Sequence, residues 1–208
     1  MLCVTLKKAV VVCFLLVVSA TTSGSLAPPI FEKAAYARWM VSSLDWGVAS
    51  TMSTLWPGYA FGNPVSFADV DGKPVFCVSP LDASVRDLQT NPKMTLTLSE
   101  AEGDAGACQG PQGDPEAPPC ARLVLAGDFR NVTDNDWHDA ARALAARHPI
   151  MTDWGCFGGE NKGPSDHDFF LATLQVENIW LINIYGGAAV IDAHDYFNTT
   201  VFNATTVL

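Results

Sequence analysis

The chain has 208 residues, 49% of them hydrophobic and only 16% charged: enough for one domain with a real core, and too apolar for a disordered one. Lys and Arg number 12 against 22 for Asp and Glu, a formal charge of -10. That balance excludes nucleic acid as the main partner, because phosphate binding needs a basic surface that releases counterions, and it disfavours anionic membrane surfaces for the same reason.

Lys7 and Lys8 precede a continuous apolar run, residues 9–18, and Val18 and Ala20 are small residues suited to the recognition positions of a signal peptidase. The run is about ten residues against the roughly twenty a bilayer crossing needs, so residues 1–20 read as a secretory signal peptide rather than an uncleaved anchor or a buried helix. No later stretch is long enough to span a membrane. Cys3 and Cys13 leave with the leader, while Cys77, Cys108, Cys120 and Cys156 remain. An even set in an oxidising lumen suggests two disulfides, with three pairings open. Cys108 and Cys120 flank a Gly- and Pro-rich stretch, 109–119, that would be flexible without a staple, so they are expected to pair. Cys77 and Cys156 then pair by default, the alternative being two free buried thiols. The sequons at Asn131, Asn198 and Asn203 add a second mark of secretion and place those asparagines at the surface.

Residues 21–29 form a linker, and the domain is expected over 30–198, with a Thr- and Asn-rich tail at 199–208. A helix is predicted over 30–43 from an apolar stripe at helical spacing. Strands follow at 46–55 and 64–68, the first broken by Trp56-Pro57-Gly58-Tyr59. The turn signal Asp71-Gly72 leads into a strand at 75–78. A short helix over 82–90, closed by Asn91-Pro92, precedes strands at 94–98 and 121–129. Thr133 or Asp134 is expected to cap a helix reaching Arg147, with Trp137, Ala140, Ala141, Leu144 and Ala145 on one face. A Gly-rich insert lies between Trp154 and Asp166, then strands at 169–176 and 179–184 and a last helical turn at 192–197. Hairpin-ordered strands with a few short helices imply an α+β antiparallel barrel.

The histidines His138, His148, His167 and His194 lack the spacing of a zinc motif, and no metal site is expected. Asp166-His167-Asp168 could orient an imidazole, but alternate strand residues face opposite ways, so a solvated strand start is the simpler reading. No nucleophile elbow is present. The segment with cofactor logic is Val78 to Leu88, where a strand passes into a helix N-terminus whose free amides favour an anion. Ser79, Ser84 and Arg86 could add hydroxyl and guanidinium donors. An ordinary helix cap, with Arg86 paired to Asp82, explains the same residues.

The same segment carries a resemblance. Ser79-Pro80-Leu81-Asp82, Arg86-Asp87-Leu88, Asn91-Pro92 and Thr95 to Glu100 resemble the CREG family of secreted glycoproteins. So do Trp46-Gly47, Gly62-Asn63, Pro119-Cys120-Ala121-Arg122, Arg147-His148-Pro149, His167-Asp168-Phe169-Phe170 and Asn178-Ile179-Trp180. The resemblance runs from about Ala35 to Phe197. It implies a split β-barrel of the FMN-binding, pyridoxamine-phosphate-oxidase-like type, usually a homodimer, in secreted or endolysosomal glycoproteins linked to growth and differentiation. Such proteins generally lack a demonstrated activity or bound flavin.

Cys108 and Cys120 match the family spacing. The insert carrying Cys156 is longer than the family pattern, so that pairing is not implied by it. In flavin-binding relatives the segment supplies a hydroxyl and two cations to the flavin phosphate. Here Ser84 matches the hydroxyl and Arg86 one cation, while Val85 replaces the other. A lost charge-assisted bond of about 1.5–3 kcal/mol weakens binding roughly ten- to a hundredfold. The expectation is therefore a non-enzymatic glycoprotein without cofactor, acting by partner binding through its dimer. The partner would be a cell-surface receptor or a glycan-reading sorting receptor. The rivals are an FMN-dependent oxidoreductase using Ser79, Ser84 and Arg86, and a haem binder with a histidine ligand.

Overall fold

Met94, Leu96 and Leu98 alternate with Thr95 and Thr97, and Leu123 and Leu125 repeat the pattern, so each strand turns one row of large apolar side chains inward. In the computed structural model, which describes residues 27–103, 108, 113–158 and 167–201, these strands form one antiparallel sheet. The expected signal peptide, Asn203, Asp166, residues 109–112 of the first Gly-rich stretch and most of the second lie outside the described residues.

In chain order the strands are β1 (Trp46–Met52), β2 (Ala60–Ser66), β3 (Ala68–Val70), β4 (Lys73–Val78), β5 (Lys93–Ser99), β6 (Arg122–Asn131), β7 (Phe170–Ile182) and β8 (Ala189–Ile191). The helices are α1 (Lys33–Ser43), α2 (Ala83–Thr90), α3 (Trp137–Arg147) and α4 (Ala193–Asn198). The spatial order is β2-β1-β5-β6-β7-β4-β3, with β8 added to β7. The long β7 organises the sheet: one edge pairs β6, while the other pairs β4 at its start and β8 at its end. The sheet curls as an α+β split β-barrel. Its interior holds Phe76, Leu96, Leu98, Leu123, Leu125 and Leu174. A second core, with Val75, Cys77 and Leu171, is covered by Ala140 and Leu144 of α3.

Several elements depart from expectation, each for a local reason. The first helix begins at Lys33 because a turn from Glu32 N–H to the Pro29 carbonyl, 2.9 Å, precedes it. It buries Ala35 to Val41 consecutively instead of presenting a stripe, because β3, β8 and α4 pack around it. The third helix starts at Trp137, not after Thr133 or Asp134. Its N-cap is Asp136, whose carboxylate accepts from the Thr133 hydroxyl at 2.8 Å across a turn. The first strand ends at Met52, where Ser53 N–H closes a turn onto the Tyr59 carbonyl.

Pro64 lies inside β2, tolerated because β2 is an edge strand. The strands expected at 169–176 and 179–184 are one strand, β7: the register skips Glu177 opposite Ala126 and Gly127, and the resulting bulge absorbs it. Gly127 fits there because a Cβ would collide with the Gln175 carbonyl. His167 and Asp168 lie in a turn before β7 rather than on it, with Asp168 at φ 46°. The turn between β3 and β4 has Asp71 at φ 50° and Gly72 at φ 89°, as a tight hairpin requires.

Both expected cysteine pairs form. Cys77–Cys156 ties β4 to the segment after α3, and Cys108–Cys120 staples the loop before β6.

Candidate functional site: the N-terminus of α2

The chain leaves β4 at Val78 and turns through Ser79-Pro80-Leu81 into α2. Asp82 is the N-cap, extended at φ -69°, ψ 136°, and its carboxylate accepts the Ser84 N–H at 2.6 Å. Asn63, reaching from β2, donates its side-chain amide to Asp82 at 3.1 Å and to the Ser84 hydroxyl at 3.2 Å. The Ser79 hydroxyl donates to the His167 carbonyl and accepts the Leu81 N–H at 3.2 Å. The helix-cap alternative thus describes Asp82, but the Arg86–Asp82 pair does not form: Arg86 is exposed, and no such ion pair occurs among the described residues. Of the three residues proposed from sequence, Ser79 and Ser84 are buried and engaged within the chain, while Arg86 faces solvent.

Val85, in place of the second cation, is buried and points with Leu88 into a cavity of about 30 Å³ between Phe76, Met94 and Phe129. Below the cap, Asp87 is 2% exposed and accepts from the Thr51 hydroxyl at 2.7 Å, the Thr54 N–H at 2.7 Å and the Thr54 hydroxyl at 2.6 Å. Burial pushes this carboxyl up, but the Thr54 and Thr51 hydrogen bonds and the Arg86 charge together outweigh it and hold its pKa below the usual aspartate value. Asn63, Asp87, Thr51 and Thr54 carried no role in the sequence reading. An aspartate two residues ahead of Ser84 is a local signal that could have found the cap, whereas Asn63, Thr51 and Thr54 are remote in sequence.

The remaining sites are superficial. Asn131 ends β6 and is exposed; Asn198 ends α4, exposed, with its amide donating to the His194 carbonyl at 2.9 Å. Asp192, His194 and Asp195 gather at the start of α4, all exposed, and the Asp192 carboxylate is spent capping that helix. No helix among the described residues is long and apolar enough to cross a membrane.

A curled antiparallel sheet with a strand-to-helix passage at its mouth defines the split β-barrel class. The solved haem-binding protein from Mycobacterium smegmatis shares this fold, with a TM-score of 0.65 at 19% identity over 85% of this chain and 63% of that one. The chain belongs to the CREG family: the model of the CREG β-barrel matches residues 28–198. It is 34% identical to human Protein CREG1 over 181 residues, covering 84% of this chain and 77% of the relative. Against human Protein CREG2 it is 36% identical over 182 residues, 84% of this chain and 59% of the relative.

Proposed function

We propose that the protein is a secreted or endolysosomal glycoprotein that acts by binding a partner as a homodimer, without flavin or turnover. One observation carries this reading: the carboxylate of Asp82, clamped by Asn63, already sits on the helix amide that a flavin phosphate would need. A phosphate brought beside it would meet repulsion of about 1–4 kcal/mol per charge pair at 4 Å. Arg86 alone, exposed and unassisted by Val85, does not offset that. The residues present do not fit the phosphate, and no redox step is assigned to them.

The opposite face of the sheet supports the dimer. Strand register lines up Pro64, Val48, Thr97, Val124, Trp180 and Val190 in one row across six strands. Trp180 is 37% exposed and Val190 81% exposed, an apolar surface of the kind a second copy covers. The leader-like segment at 1–20, the two disulfides and the sequons support an oxidising lumen. The net charge of -10 points to a protein partner, a cell-surface or sorting receptor, over nucleic acid.

The name of the Mycobacterium smegmatis neighbour favours haem as the second reading. Against it, none of the residues lining the cavity under α2 is a histidine. The test is purification from a eukaryotic secretion host, followed by visible absorption and sedimentation. A colourless glycosylated dimer is expected; a yellow or Soret-absorbing protein, or a monomer, overturns the proposal.

A further inference from the structure

Beyond the C-terminal end of α2 lies a second concavity. Alternation along β6 puts Phe129 and Asn131 on the same side of the strand. The pairing of Phe129 with Leu174 and of Asn131 with Ala172 brings Phe170 to that side as well. The Phe129 and Phe170 rings meet edge to face, centroids 6.4 Å apart. With Leu88 and Pro92 they line an open groove of about 600 Å³, and Asn131, itself exposed, stands on its rim. Both rings are half-buried, so an apolar floor is left uncovered beside a glycosylation sequon.

We infer that the N-glycan of Asn131 folds back into this groove, with the apolar C–H face of its innermost N-acetylglucosamine stacked on Phe129. This rests on the glycoprotein reading above. A pyranose has one face of C–H bonds, polarised positively, and an aromatic ring offers the negative face that matches them. The tether does the rest: a sugar fixed two residues from the ring has a high effective concentration there, so a contact too weak for a free sugar is populated. The glycan thereby covers the groove instead of projecting freely from the end of β6.

The test uses the full-length secreted protein, with glycopeptides mapped by mass. Native protein and the Phe129→Leu variant, which keeps an apolar side chain opposite Leu174 but has no ring, are digested with an amidase that cleaves the Asn–sugar bond. Release from Asn131 is expected to be about five- to tenfold slower in the unsubstituted protein. The innermost sugar's ring protons should also show upfield ring-current shifts in its NMR spectrum, a readout on the folded protein that does not depend on the variant folding. Unshifted sugar protons in the unsubstituted protein overturn the inference. Asn131 without a glycan while Asn198 carries one also overturns it and leaves the glycoprotein reading standing; bare asparagines at every sequon overturn both.

Discussion

The mouth of the barrel at α2 and the outer face of the sheet contrast in what they leave unused. At the mouth the polar groups are engaged inside the chain: Asp82 caps Ser84, Asn63 holds both, Ser79 is bonded to His167, and Asp87 takes three donors from Thr51 and Thr54. On the outer face Val48, Val124, Trp180 and Val190 form a row that nothing among the described residues covers fully. The barrel thus has a saturated mouth and an unsaturated flank. The difference shifts the expected work from small-molecule chemistry to association.

The largest effect that could break this contrast concerns the flank. Val124→Lys, at the middle of the row, should weaken self-association by about two to three orders of magnitude, as the loss of a central apolar contact of about 3–4 kcal/mol does. Sedimentation would show monomers with an unchanged far-ultraviolet spectrum; an intact dimer would place the interface elsewhere. At the mouth, Asp87→Ala leaves the Thr51 and Thr54 donors without their buried acceptor and should cost about 3 kcal/mol in denaturant unfolding. A cost below about 1 kcal/mol would mean that these bonds are replaced by water. Asp82→Ala removes only the cap and should cost about 1 kcal/mol.

The smallest effect is in the pH profile. Burial pushes the Glu102 carboxyl up to about 7, against the Ser99 N–H that lowers it and with Asp45 adding to the rise; its Oε2 is buried without a partner. Its folded value lies above the unfolded one, so its contribution to stability is full below the ordinary Glu range and lost as pH rises through about 7. Asp87, held below its ordinary value, contributes above the ordinary Asp range and loses that as pH falls through its depressed value. Thermal unfolding should therefore peak in the mildly acidic range, and Glu102→Gln should flatten the decline on the alkaline side. A maximum above neutrality in the unsubstituted protein would contradict the Glu102 assignment.

Much of the barrel was legible from period alone. The alternation in 94–98 and 121–129 marks β5 and β6, and Asp71-Gly72 marks the hairpin, because these signals are local. The single β7 was hidden because Glu177-Asn178 reads as a turn, whereas the sheet absorbs the extra residue in a bulge opposite Gly127. The α3 start was misplaced because Thr133 and Asp134 carry cap chemistry but sit in a turn ahead of the true cap, Asp136. At the mouth, a helix cap was legible in outline, but Asp82 was read as the partner of Arg86 and Ser84 as a phosphate donor, whereas Asp82 caps Ser84. Their clamp from Asn63 and the Asp87 network were not legible, since both depend on strands that fold up against α2 from 19 to 36 residues away.

The central claim is that the start of α2 offers a phosphate nothing to hold. Titrating the purified protein with FMN and, separately, with riboflavin, which lacks the phosphate, tests it most directly through flavin fluorescence. Equal and weak affinity for the two is predicted; a preference for FMN of about tenfold or more would show that the phosphate finds donors there after all.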